Sequence, residues 1–162
     1  MKSSNRFALL ATIVVALSSL STAALAAVAT GTANAQVLAP IAITAGTALN
    51  FGTFAGNAAG TVVLTSANGR SSTGGVILAA GATAAGTFTV TGSNSATFAM
   101  TYPGSFNVTS GANTMAVTVN GAATGTLSGT SVTFPVGGVL TVGTAQAAGA
   151  YTGTYSMTVE YN

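Results

Sequence analysis

The side chains that most often carry catalysis or hold metals are almost missing from this sequence. Among its 162 residues there is no His, no Cys and one acidic residue, Glu160. A Ser-His-Asp triad, a Cys-His pair and a pair of catalytic carboxylates all fail on that count. A Ser-Lys dyad could draw only on Lys2, in an apolar leader. Zinc asks for His or Cys and calcium for several carboxylates, so neither ligand set can be assembled. General acid-base chemistry needs groups that titrate near the working pH, which Tyr and Ser do not supply. The expectation is a protein that is not an enzyme, takes no cofactor or metal and has no small-molecule substrate. Its work would be done by shape.

The basic residues point to a compartment. Lys2 and Arg6 precede the apolar run FALLATIVVALSSL, residues 7–20, and STAALA follows, ending in the small-x-small pattern Ala24-Leu25-Ala26. This is the layout of a secretory signal peptide over 1–26. Ala27-Val28-Ala29 and Ala33-Asn34-Ala35 also fit a cleavage site by size. The apolar run is shorter than the roughly 20 residues a bilayer span requires. Once the leader is removed, Arg70 faces Glu160 alone, and the formal +2 falls to zero. One arginine cannot build a phosphate-neutralising surface, which excludes a nucleic-acid partner. The expected route is export through the periplasm, to the cell surface or an extracellular fibre.

Those features need elements to position them, and the composition names the class. The chain is 49% hydrophobic, 2% charged and holds 21 Gly. Short runs of Val, Ile, Thr, Phe and Tyr predict strands over 32–38, 41–44, 49–54, 61–65, 75–79, 87–91, 97–102, 106–109, 114–120, 131–134, 139–142 and 151–161. Asn68-Gly69, Gly74-Gly75, Asn120-Gly121 and Gly137-Gly138 read as turns between them. So many short strands imply an all-β sandwich or barrel, with no helix after the leader. The organisation expected is a signal peptide over 1–26, an N-terminal extension over 27–39 and one β-sandwich over 40–162.

Two segments show strict alternation. In GAYTGTYSMTVEYN, residues 149–162, Tyr151, Tyr155, Met157, Val159 and Tyr161 share one parity, against Thr152, Thr154, Ser156, Thr158 and Glu160 on the other. In the extension, Ala29, Gly31, Ala33, Ala35 and Val37 alternate with Thr30, Thr32, Asn34 and Gln36, the look of a strand with one small, apolar face. Other features read blandly. NGRSSTGG, residues 68–75, lacks the lysine of a phosphate loop and reads as a solvated turn. Thr87, Thr89 and Thr91 form one Thr-x-Thr run without a repeat, an exposed strand face, and NVT at Asn107 carries no weight in so Thr-rich a chain. Phe51, Phe54, Phe88, Phe98, Phe106 and Phe134 sit in strand-like patterns and read as core rather than sugar-stacking rings.

Counting back from Asn162 as the first residue, Tyr161 is second, Val159 fourth, Met157 sixth, Tyr155 eighth and Gly149 fourteenth. That spacing resembles the closing signature of chaperone-usher pilins. The resemblance implies that Gly149, Tyr155, Met157, Val159 and Tyr161 line the chaperone-bound edge of an immunoglobulin-like sandwich, one that is incomplete and completed by a donor strand. APIAITAGTALNFGTF, NGRSSTGGVIL, GTFTVTG, LTVG and AAGAYTGTYSMTVEYN together resemble the secreted family called domain of unknown function 4402, a relative of spore-coat-protein-U-like pilins. Many such pilins carry a disulfide; this chain has no cysteine, so packing alone must hold it.

What the resemblance implies is a structural subunit of a surface fimbria or pilus-like fibre serving adhesion or biofilm formation. Ala29, Gly31, Ala33, Ala35 and Val37 would be its donor strand, placed in a neighbouring copy or a related pilin subunit with the help of a periplasmic chaperone and an outer-membrane usher. The alternatives are a self-contained secreted sandwich of the surface or matrix, and a small outer-membrane barrel. The barrel is opposed by strands shorter than the roughly 9 to 11 residues a spanning strand needs. Intact-mass measurement of the exported protein should find a chain starting at Ala27 or a few residues later; retention of Lys2 and Arg6 would overturn the compartment and the charge balance together.

Overall fold

The computed structural model describes residues 26–162; most of the expected signal peptide lies outside them. The chain divides into two units, the second of which is residues 36–162. Of the first unit, residues 26–35 are described, and they are exposed and without regular secondary structure. The second unit is built of ten strands: β1 (Ala42–Ala45), β2 (Phe54–Leu64), β3 (Arg70–Leu78), β4 (Gly86–Thr91), β5 (Thr97–Thr101), β6 (Phe106–Ser110), β7 (Asn113–Asn120), β8 (Thr124–Thr126), β9 (Ser131–Val142) and β10 (Thr158–Tyr161). Every pairing is antiparallel, and no helix occurs among the described residues.

Strand β9 organises the molecule. Its even positions, Val132, Phe134, Val136, Leu140 and Val142, face the core, while Ser131, Thr133, Pro135 and Thr141 are exposed. The first half pairs with β4, setting Phe134 opposite Phe88; the second half pairs with β2 and β7, setting Leu140 opposite both Val62 and Val117. With β1 on β4, β3 on β2 and β6 on β7, the result is a seven-stranded sheet, and β10-β5-β8 form a three-stranded one. The core falls into two clusters. Phe88, Val90 and Val136 of the large sheet pack with Phe98, Met100, Leu127 and Met157. Val62, Val76, Met115, Val117, Leu140 and Val142 form the second, with Leu49, Phe51, Phe54 and Tyr151 packed against it. This is an all-β sandwich of antiparallel sheets, compatible with an immunoglobulin-like arrangement, and all six phenylalanines named above lie in or against its clusters.

Several expected elements come out differently, each for a visible reason. The runs 131–134 and 139–142 are one strand, because Gly137-Gly138 lies inside the ladder instead of turning. A Cβ on Gly137 would collide with the Leu64 carbonyl oxygen, so glycine is what lets β2 come that close. Residues 49–53 form no strand beyond a single Asn50–Ala84 bridge: the Asn50 side chain accepts from the Gly52 amide at 2.9 Å, a local turn that diverts the chain. Gly74-Gly75 is likewise within β3 and not a turn. The short β8 was not expected; Gly125 sits where a Cβ would meet the Phe98 and Phe134 rings at 2.6 Å. Residues 32–38 form no strand, and of 151–161 only β10 joins a continuous ladder. The Thr run of β4 has neighbours across strands, Thr44 and Thr133 flanking Thr89, with the Thr89 and Thr133 hydroxyls 2.9 Å apart.

Arg70 is not part of a solvated turn. Half-buried at the start of β3, its guanidinium donates to the Ala79 carbonyl at 3.1 Å and to the Thr53 carbonyl, while Nε has no partner. The one cation of the sandwich thus ties residues 49–54, which cover the second cluster, to the β2–β3 pair. Charge-assisted hydrogen bonds contribute about 1.5–3 kcal/mol each. Arg70→Ala should therefore lower unfolding free energy by about 2–4 kcal/mol in a denaturant titration, while Ser71→Ala on the exposed face stays within about 0.5 kcal/mol.

Candidate functional site

Two edge strands converge on the first cluster. β1 pairs with β4, Ile43 opposite Val90, and β10 pairs with β5, Val159 opposite Met100. β1 and β10 lie against each other without forming a ladder, and nothing among the described residues pairs with the outer edge of either. Ile41, Ile43, Val159 and Tyr161 are half-buried along this seam and pack on the buried residues beneath. An unpaired edge leaves backbone donors and acceptors open to another strand.

Other edges are blunted. In β3 the backbone of Gly74 turns to φ +65°, and the Ser72 hydroxyl donates to the Val76 carbonyl at 3.0 Å. β6 is bridged by Thr152, whose backbone exchanges hydrogen bonds of 2.8 and 3.0 Å with Thr109. β8 has three residues, and Pro135 removes a donor from the first half of β9.

The closing segment alternates in burial from Thr154 to Tyr161. Tyr155, Val159 and Tyr161 are half-buried and Met157 is buried, while Thr154, Ser156, Thr158 and Glu160 are exposed. Tyr155 stacks on Phe106 with centroids 5.0 Å apart and meets Phe88 edge-on at 5.7 Å. Burial pushes its phenol above the ordinary tyrosine range, with Tyr102 adding to the shift. Tyr161 reaches farthest: its hydroxyl accepts from the Ser93 amide and donates to the Ala39 carbonyl, both at 2.8 Å, and the Ser93 hydroxyl accepts from the Ala39 amide at 2.6 Å. Gly92 makes room for that ring, since a Cβ there would run into the phenol oxygen.

The remaining sequence-predicted positions are not gathered here. Gly149 is exposed and sits beside β6, where a Cβ would meet the Ser110 hydroxyl at 2.5 Å. Ala29, Gly31, Ala33 and Ala35 are exposed, and Val37 is 94% exposed. Sequence reasoning missed Ile41 and Ile43, the β1 side of the seam, although their alternation in IAITAG was readable, and it missed Ser93 and Ala39, for which no local signal exists. No cluster of metal-ligating side chains occurs among the described residues. Met157→Asp would bury an unpaired charge and should cost about 3–5 kcal/mol, while Thr154→Asp and Thr158→Asp on the exposed parity should stay within about 0.5–1 kcal/mol. Thermal melts of the purified variants check the parity.

A family model described as a domain of unknown function, DUF4402, matches residues 41–161. Neither a curated protein nor a solved structure matches the chain. The matched span opens at Ile41 on the rim beside β1 and closes at Tyr161, the last residue of β10, so both edges of the seam fall inside it and residues 26–40 fall outside. The chain belongs to the DUF4402 family.

Proposed function

We propose that this chain is an exported structural subunit of a surface fimbria or pilus-like fibre, in which residues 29–37 of one copy add as a strand to the β1–β10 seam of the next. The observation that carries this reading is the convergence of two unpaired strand edges on one apolar seam, while other edges of the sandwich are blunted. Strand addition of this kind draws affinity from main-chain hydrogen bonds and specificity from alternate side chains. The extension suits the part: residues 26–40 are exposed and hold no regular secondary structure, and their alternation offers Ala29, Gly31, Ala33, Ala35 and Val37 on one face. The partners in this reading are neighbouring copies or related pilin subunits, with a periplasmic chaperone and an outer-membrane usher during export. Adhesion or biofilm formation is the use proposed for the fibre, with no enzymatic step and no nucleic-acid partner.

One observation favours a second reading, a self-contained secreted sandwich of the surface or matrix. β1 already lies against β10, and Met157 beneath them is 8% exposed, so the cluster is covered without a guest strand. The described strands enclose a filled core between sheets and do not close into a barrel.

Deleting residues 27–38 separates the two readings. If the extension is the donor, the truncated chain should remain monomeric by light scattering and give no fibres by electron microscopy. A free peptide of residues 27–39 at a hundredfold excess over its Kd should then stabilise the truncated chain by about 2.7 kcal/mol. Val37→Arg in the full chain should block assembly, and Gln36→Arg on the opposite parity should not. Fibres from the truncated chain, or a melting temperature unmoved by the peptide, would overturn the donor role of the extension.

A further inference from the structure

The hydrogen bonds around Ala39 form a closed ring that no local sequence pattern announces. Ala39 donates to Ser93, Ser93 donates to Tyr161 and Tyr161 donates back to Ala39, over 2.6, 2.8 and 2.8 Å. Both backbone groups of Ala39 are thus bound at the root of the extension, although Ala39 itself is exposed. The next residue is Pro40 and the chain then enters β1. For the extension to fold back along the free edge of its own β1, it would have to reverse at Ala39-Pro40. That turn would place Pro40 at its second corner, where proline is disfavoured, and would take the Ala39 amide and carbonyl away from Ser93 and Tyr161.

We propose that Ser93 and Tyr161 form a latch on Ala39 that keeps the extension out of its own seam and so leaves it available to a second copy of this chain. This rests on the donor-strand reading above for what the extension does next, but the latch itself is a property of the single subunit. It explains why the last residue of β10 carries a phenol where a plain apolar ring would fill the same space. It also gives Gly92 a reason, because any side chain there would push the phenol off Ala39.

Hydrogen exchange on the monomeric exported protein tests the latch directly, with Ser93→Ala and Tyr161→Phe as variants; Tyr161→Phe keeps the ring and removes both of its bonds. In the unsubstituted protein the Ala39 amide should exchange at least about tenfold more slowly than those of Val37 and Leu38, and Ser93→Ala should abolish that difference. In the double variant, residues 29–37 should gain protection in the monomer as they fold back along β1, and the assembled fraction should fall several-fold. Unchanged protection at Phe98 and Met100 shows that the fold is intact. An Ala39 amide that exchanges as fast as Leu38 in the unsubstituted protein overturns the latch. So does a double variant whose residues 29–37 stay unprotected. Neither outcome depends on fibres forming, so a protein that never assembles would overturn the donor-strand reading while the exchange data still decide the latch.

Discussion

The continuity of β9 through Gly137-Gly138 is the constraint on which the rest of the molecule depends. A twelve-residue strand that keeps one parity from Ser131 to Val142 presents inward side chains to both clusters, so the two halves of the core share one backbone. It can do so only because its middle has no side chains. Gly137 admits the Leu64 carbonyl, and Gly138 leaves space that Leu49 and Phe51 approach to within about 3.2 Å of an added Cβ. Each neighbour of β9 inherits its register from that passage: β4 on one half, β2 and β7 on the other. A one-residue slip in any of them would turn its apolar set to solvent, which is why so long a strand needs no charged or disulfide pin.

The same passage explains where the sequence was readable and where it was not. Period-two runs with strong β formers, such as GTFTVT and NTMAVTVN, were legible because alternation and burial agree residue by residue in β4 and β7. Gly137-Gly138 was misread because a glycine pair signals a turn and a close backbone approach equally well, and only the position of Leu64, far away in sequence, decides between them. LNFGTF was misread for the opposite reason: Leu49 and Phe51 do alternate, but they cover a cluster from an irregular segment held by Arg70. At the seam, the one-sidedness of Tyr155, Met157, Val159 and Tyr161 could be read, whereas the ring joining Tyr161, Ser93 and Ala39 brings together residues up to 122 positions apart.

Scarcity of charge shapes the energetics as well as the chemistry. Arg70 spends its donors on two carbonyls and Glu160 sits exposed on β10, so the described residues have little for salt to screen. What remains is apolar burial in the two clusters and hydrogen bonding along the ladders, with hydroxyls paired across strands at Thr61–Thr73 and Thr89–Thr133. Such a surface gives long-range electrostatics almost no part in choosing a partner. In the proposed assembly, recognition would have to come from backbone groups and shape, which is what an open strand edge offers.

The size of the open edges bears on how strand addition would work. β1 and β10 contribute four residues each, and a net main-chain hydrogen bond contributes only about 0.5–1.5 kcal/mol. Ordering the backbone of an incoming strand costs about 1–2 kcal/mol per residue, so pairing with those eight residues alone would be marginal. Two features change that balance in the proposed assembly. Residues 153–157 lie just before β10 in no ladder, yet Tyr155 and Met157 already hold the inward positions of a strand, so a guest strand could lengthen that edge without repacking the core. The seam is also rimmed by large side chains, Ile41, Ile43, Val159 and Tyr161, half-buried against the first cluster. Alanine and glycine at alternate positions need little room beside those side chains and lose little or no side-chain entropy on binding, so the smallness of the extension's apolar face would lower the cost of ordering it.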